Sequence, residues 1–431
     1  MNIPQSDLPR LVIIGGGFAG VSLARKMVKE KVQLVLLDRQ NYHTFQPLLY
    51  QVSTASLEPD SIAYPLRKIV KKGKNTFFRM TEVTHIDPDS KTVFTPIGNI
   101  SYDYLVIATG AKTNFFGNQT IATNAMRMKN LPQALNLRSL LLENLEQAVI
   151  TKDPEKRKEL LRFVLAGAGP TGVELAGGIA ELKLNVLPLD YPDMDFSEME
   201  IHLIEGADRV LPPMSTNASE KAASFLKKMG VHIHVNTLVT NYEHNIVTTN
   251  TGISLHTATF IWSAGVTGAP VEGINASAII PRANRYKVNR FSQVDGYDTI
   301  FALGDIAVMP TEKFPKGHPM VAQPAIQQGA HLAKNLKKLL KEKPMTPFTY
   351  FDKGSMATIG RNKAVVDIGS FKFGGFFAWF IWMFIHLWFL VGFRNRFVTF
   401  FNWSYNYINY DKAARLIVRP FKNKTNVTEQ V

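Results

Sequence analysis

Two stretches of this 431-residue chain have the residue types and spacing to grip a dinucleotide. Leu11–Gly20 reads LVIIGGGFAG and Arg162–Glu174 reads RFVLAGAGPTGVE. Each begins as a short apolar run with β-branched residues, the pattern of a buried strand, and continues into G-x-G-x-x-G. The glycines are Gly15, Gly17 and Gly20 in the first stretch, around Phe18 and Ala19, and Gly167, Gly169 and Gly172 in the second, around Pro170 and Thr171. Glycine there permits a tight turn, brings backbone close to a pyrophosphate and seats a helix N-terminus facing the phosphates. Pro170 is acceptable in a first helical turn, where its missing N–H would have no partner anyway.

An acid follows each motif. Asp38, 18 residues after Gly20 and just before Arg39, ends a second apolar strand. Glu205 ends the strand predicted over 199–204, and its greater distance from Gly172 is accounted for by an insertion over 182–197 with two prolines and three aspartates. A carboxylate there binds a ribose hydroxyl and repels a 2′-phosphate, which favours NADH over NADPH in the second fold. Arg209 follows four residues on, too far to rescue the phosphate directly. Three further strand ends carry ligand-type turns: Ala108, Thr109 and Gly110; Ala264 and Gly265; and Gly304 with Asp305. From Ala322 a helix is predicted to about Lys343, with Gln323 and Gln327 sharing a face.

The elements that must position these residues imply an α/β protein of two domains plus an extension. There is no cysteine, which excludes disulfides, thiolate metal sites and any redox dithiol; no metal site is expected. The net charge of +14, without a nucleic-acid motif, points to an anionic membrane surface. Residues 1–10 lead straight into the first strand, so neither a signal nor a transit peptide is expected. The segment 39–54, rich in aromatics and amides, reads as a loop walling the cofactor site. A helix is predicted over 131–150, and the charged run 152–159 as a solvated face.

The run 373–393 has no acid, lysine or arginine, and four of the five tryptophans lie between Trp379 and Trp403. Its aromatic character and basic flanks, including Lys372, Arg394, Arg396, Lys412, Arg415, Arg419, Lys422 and Lys424, favour an interfacial anchor over a spanning or buried helix. His386 within it reads as a hydrogen-bonded anchor.

Together, the two folds, ATG at 108–110 and GD at 304–305 resemble the two-dinucleotide-binding-domain flavoproteins. DRQNYHTFQPLLYQVST at 38–54, AQPAIQQG at 322–329 and HLWFLVGFRNR at 386–396 resemble type II NADH dehydrogenase, the single-subunit, non-proton-pumping NADH:quinone oxidoreductase. The resemblance implies two Rossmann-like domains in a glutathione-reductase-like arrangement with a C-terminal membrane-anchoring region. The expected boundaries are 1–130 and 290–350 for FAD, 131–289 for NADH and 351–431 for the anchor. It implies non-covalent FAD on Gly15, Gly17, Phe18, Ala19, Gly20, Asp38, Arg39, Ala108, Thr109, Gly110, Asp305, Ala322 and Gln323. NADH is expected on Gly167, Gly169, Pro170, Thr171, Gly172, Glu174, Glu205, Ala264 and Gly265, and quinone on Gln323, Gln327 and Lys372. Glu174, Gln323 and Gln327 are the expected catalytic residues. Glu174, taken to lie on the first helical turn beside flavin and nicotinamide, either relays protons or is simply held ionised by the helix N-terminus. A homodimer, monotopic on the cytoplasmic face of the cell's inner membrane, is expected. Two alternatives stay open: a reductase serving a soluble ferredoxin or rubredoxin, and a membrane-bound NADH redox sensor.

Overall fold

The computed structural model describes residues 1–409 and 414–418. Its site-bearing elements begin with β1 (Arg10–Ile14), α1 (Phe18–Met27), β2 (Gln33–Asp38), α2 (Leu49–Ser53), β3 (Thr76–Met80), β4 (Tyr104–Ile107), β5 (Met126–Arg127) and α3 (Leu131–Ile150). They continue with β6 (Arg162–Ala166), α4 (Pro170–Asn185), β7 (Glu200–Ile204), β8 (Val231–His234), β9 (Thr259–Trp262), β10 (Ile300–Ala302) and α5 (Ala322–Leu339). The C-terminal part contributes β11 (Ser355–Thr358), β12 (Ala364–Ile368), β13 (Phe371–Gly375), α6 (Phe376–Phe389) and α7 (Phe393–Asn409).

The chain divides into two compact units. The first comprises Met1–Thr44, Ala63–Lys112 and Val266–Asp352; the second comprises Phe45–Ile62, Thr113–Gly265 and Lys353–Val431. In the first, five parallel strands run in the order β10-β4-β1-β2-β3. Both faces are covered, so the strands read as apolar runs rather than alternating ones, and Leu11, Val12 and Ile13 are fully buried. In the second unit the order β5-β9-β6-β7-β8 repeats that pattern, again all parallel, with Phe163, Val164 and Leu165 at the centre.

These boundaries differ from the expected ones, and pairing explains why. The segment 45–62 adds no strand to the first sheet; its helix α2 packs on α3 and α4 and so belongs to the second unit. Residues 113–130 follow because β5 pairs with β9. Residues 266–289 go to the first unit, where Arg285–Lys287 pairs with Ala307–Val308. The tail falls within the second unit, where β11, β12 and β13 form an antiparallel sheet on which α4 and α6 pack. Nor is 39–54 a loop, since Tyr42–Thr44 is a strand and Gln46–Ser53 is helical.

The apolar tail run is also interrupted. Gly375, at φ +98°, ends β13, and only 14 residues continue as α6 before Leu390 leaves the helix. At about 1.5 Å per residue α6 is about 21 Å long, against a hydrocarbon core of about 30 Å. No helix among the described residues is long and apolar enough to cross a membrane. The basic residues Lys412, Arg419, Lys422 and Lys424 lie outside the described residues.

Candidate active site

In both units the Gly-rich turn is set by the same bonds. Gly15 N–H donates to Leu37 O and Gly167 N–H to Ile204 O, each at 2.8 Å, stitching the turn to the neighbouring strand. A Cβ on Gly20 would stand 1.9 Å from Gly15 O, and one on Gly172 would stand 1.8 Å from Gly167 O. Gly15 and Gly167 have positive φ, +105° and +97°, and press against Ala108 and Ala264 respectively. The middle glycines behave differently. A Cβ on Gly17 or Gly169 would meet nothing within 4 Å. The space over each helix N-terminus is therefore reserved, and neither N-cap supplies a side-chain bond, leaving first-turn N–H groups for a phosphate. Both cradles fit a dinucleotide.

The acids do more than the sequence foretold. Asp38 Oδ2 accepts from Gly16 N–H at 2.5 Å and Oδ1 from Gln40 N–H at 2.7 Å, while Glu205 accepts from Ala168 N–H at 2.6 Å and Ala207 N–H at 2.9 Å. Each carboxylate pins the loop and retains lone pairs for a ribose hydroxyl. Burial raises Asp38 above the usual carboxylate value, opposed by those N–H groups and by Arg39. Arg39 itself is exposed, 3.4 Å from Glu82. Thr109 Oγ1 donates to Ala269 O at 2.7 Å, and Gly110 and Gly265 both take positive φ. Arg209 donates to Pro212 O, within its own loop.

His43 escaped the sequence reading. Fully buried in the first unit, its Nδ1 lies 2.9 Å from Gly16 O and its ring meets Phe18 edge-on at 5.1 Å. Burial lowers it to about 4, so it is neutral. Its position five residues after Asp38 was the available signal.

Asp305 lies in the short turn Gly304–Ile306, which Gln328 helps to hold, accepting from Gly304 N–H at 2.7 Å. Ala322 and Gln323 form the first turn of α5, which also lacks a side-chain cap. Gln327 is held by main chain: its amide donates to Phe351 O at 2.8 Å and accepts Phe351 N–H at 3.1 Å, which leaves one N–H and one lone pair for a ligand. Lys372 is exposed on β13 opposite Asp367 and lines neither of the cavities described next.

Two cavities lie in the second unit. The smaller, about 380 Å³ including its mouth, is bordered by Gln46, Tyr50, Lys129, Thr171 and Glu174. The larger, about 760 Å³ on the same measure, is walled by Trp379, Trp382, Trp403 and Tyr407, with Tyr50, Gln51 and Thr358. Glu174 lies on the second turn of α4, not the first, and is buried. Burial pushes its carboxyl up to about 8, with only Thr358 N–H pulling the other way. Of the two expected alternatives, that favours a carboxyl that carries a proton at neutral pH over one held ionised. Thr358 lies 184 positions on in sequence, beyond the reach of any local motif. His386 is the anchor expected of it: Nδ1 is 2.8 Å from Trp382 O, its ring stacks on Trp382 at 4.2 Å, and burial lowers it to about 4.

α6 and α7 turn aromatic faces outward. Phe377, Phe380, Phe384 and Trp388 recur at helical spacing along α6 and are all exposed, as are Phe393, Phe397, Phe401 and Tyr405 along α7, while Ala378 and Trp382 face inward.

The comparisons with known proteins agree with this construction. A family model described as pyridine nucleotide-disulphide oxidoreductase matches residues 9–329, and one described as NDH2 C-terminal domain matches 353–409. A type II NADH:quinone oxidoreductase of Mycobacterium tuberculosis is 38% identical over 93% of this chain and 88% of its own. Another, from Staphylococcus aureus, is 29% identical over 83% and 89%. The solved structure of NDH2 from Plasmodium falciparum in complex with NADH superposes with a TM-score of 0.87 at 21% identity, over 95% of this chain and all of that one. A sulfide:quinone oxidoreductase from Aquifex aeolicus shares the fold at a TM-score of 0.71 and 21% identity, over 96% of each chain. With both folds present, no thiol in the chain and the C-terminal match in place, this chain belongs to the type II NADH:quinone oxidoreductases.

Proposed function

We propose that the chain is a FAD-dependent NADH:quinone oxidoreductase working at an anionic membrane surface, on the cytoplasmic face of the cell's inner membrane, as a homodimer. The observation that carries the reading is the pair of complete dinucleotide cradles in a chain without cysteine: electrons taken from NADH cannot pass through a protein thiol. FAD, when bound, supplies the two-electron relay from NADH to quinone. The first unit would hold it through the Gly15–Gly20 turn, with Asp38 on the ribose and the uncapped N-terminus of α5 available to the flavin. The second unit would hold NADH through Gly167–Gly172, with Glu205 discriminating against a 2′-phosphate.

Glu174 holds a proton on its carboxyl at neutral pH inside a cavity, which suits a group that supplies protons to a quinone as it is reduced. The outward aromatic faces of α6 and α7, with Arg394 and Arg396 beside them, suit an in-plane membrane contact. A reductase for a soluble partner gains nothing from such a face.

The direct test is a spectrum of the purified full chain. Flavin bands should bleach with NADH and recover with a quinone analogue; recovery only with a ferredoxin would overturn the reading. Sedimentation with anionic and zwitterionic vesicles checks the membrane part, and light scattering in detergent checks the dimer.

A further inference from the structure

Tyr50 occupies a position that no motif assigns. α2 carries it inward, 6% exposed, and it borders both cavities of the second unit, the polar one containing Glu174 and the aromatic one. Its hydroxyl accepts from Gln51 Nε2 at 2.8 Å, and Gln51 Oε1 in turn accepts the indole N–H of Trp403 on α7 at 2.8 Å. That chain of donors fixes the orientation of the phenol. A hydroxyl that accepts on one side has its own proton left to give, and among the described residues no acceptor takes it. Glu174 is joined to the aromatic cavity a second time, through Thr358, whose N–H it accepts and which lines that cavity.

We propose that Tyr50 relays a proton from Glu174 to an oxygen of a quinone seated in the aromatic cavity. The inference rests on the quinone-reductase reading above and deepens it. A quinone that has received two electrons takes the phenolic proton on oxygen while Tyr50 takes the carboxyl proton of Glu174. One O–H bond breaks at Glu174 and one forms on the quinone; Tyr50 ends as it began. Glu174, left ionised, is reprotonated from water and supplies the second proton by the same route. Burial and the charge of Glu174 hold the phenol far above its ordinary value, so Tyr50 passes protons by exchange and is never a stable phenolate. Glu181 and Arg361 face the aromatic cavity and Lys129 the smaller one, and their charges enter the pH profile of the pair. Trp379, Trp382, Trp403 and Tyr407 wall the cavity with apolar ring surface suited to a flat quinone head.

The test is Tyr50→Phe in the full-length holoenzyme, which keeps the buried ring and removes only the hydroxyl. Stopped-flow absorbance separates flavin reduction by NADH from reoxidation by a ubiquinone or menaquinone analogue. Loss is expected in the second half-reaction, about tenfold or more, with a raised solvent deuterium isotope effect and a shifted pH profile. Glu174→Gln combined with Tyr50→Phe should cost little more than either alone, because the two act in series. An infrared readout needs no turnover: the protonated-carboxyl band, assigned by its loss in Glu174→Gln, should shift in Tyr50→Phe. Reoxidation within twofold of the unaltered protein would overturn the relay. So would a slower reoxidation with unchanged isotope effect, pH profile and carboxyl band, which would assign Tyr50 to packing. Failure of the unaltered protein to be reoxidised by any quinone would overturn the underlying function instead.

Discussion

In the first unit the helix behind the Gly-rich turn, α1, buries Ala19, Val21, Leu23 and Ala24 and keeps its charges, Arg25 and Lys26, in solvent. It packs on α5 so closely that a Cβ on Gly329 would stand 2.4 Å from Ala19 O. In the second unit α4 has the same start, the same strand behind it and the same acid beside its loop, yet carries a carboxyl, Glu174, into the interior. One scaffold thus serves two purposes. The first unit packs its helix tightly with apolar side chains, whereas the second places a proton-bearing group beside a cavity. A resident cofactor needs only the former; a substrate that must gain protons needs the latter.

The largest effects should come where the two folds are alike. Gly20→Ala and Gly172→Ala each drive a methyl group into a carbonyl oxygen of the turn, at 1.9 Å and 1.8 Å. Each should cost about 3 kcal/mol or more by overpacking. Flavin content after purification should collapse in the first variant, and NADH binding in the second. A Gly172→Ala protein that bound NADH normally would break the equivalence.

Next comes the group that makes the folds differ. In the unfolded chain Glu174 ionises near 4.5, but in the folded protein it keeps its proton to about 8. The folded state therefore binds more protons across that window, and stability falls as pH rises through it. Glu174→Gln cannot ionise. Against the unaltered protein it should gain up to about 5 kcal/mol above pH 8, and nothing below pH 4.5, while losing quinone turnover at least tenfold. Urea titrations at pH 5 and pH 9 check the first statement. No variant of α1 should reproduce this, because α1 buries no titratable side chain.

A somewhat smaller effect separates two histidines that burial lowers to about 4, His43 in the first unit and His202 in the second. For both, stability is complete above the ordinary value of 6.5 and is lost as pH falls toward 4, by up to about 3 kcal/mol each. His43→Gln and His202→Gln should both flatten that acid loss in a melting series. Only His43→Gln should also loosen flavin, since His43 touches Gly16 O whereas His202 bonds to Glu200 and His234.

How far such a site can be read from sequence depends on the range over which its parts cooperate. The turns at Gly15 and Gly167 are local, so glycine spacing and a following acid pointed to the cradles and to NADH as the preferred nucleotide. Glu174 was found for the same reason, as a neighbour of Gly172. Its protonation was not legible, because it depends on burial against Thr358 and Tyr50, both distant in sequence. For Gln327, spacing showed which face it shares but not that Phe351 would bond its amide. The tail misled in length alone: a 21-residue apolar run looks continuous until Gly375 adopts a positive φ and the run's first three residues, Phe373–Gly375, pair with β12.

The smallest perturbation of the fold makes the sharpest comparison of the sites. Gly17 and Gly169 are the two motif glycines that the protein's own packing does not require: each has φ near −70°, allowed for any residue, and a Cβ on either meets no atom within 4 Å. Alanine at these N-cap positions should cost no more than about 1 kcal/mol in the ligand-free protein. The methyl group would instead occupy the place where a pyrophosphate approaches backbone. Gly17→Ala should release flavin, seen as loss of the visible bands on gel filtration, while leaving the apo melting temperature within a few degrees. Gly169→Ala should retain flavin and raise KM for NADH about tenfold without a matching change in KM for quinone. If both variants lost flavin, or both kept it with NADH kinetics intact, the division of the two cradles between cofactor and substrate would be wrong, however similar their bonds.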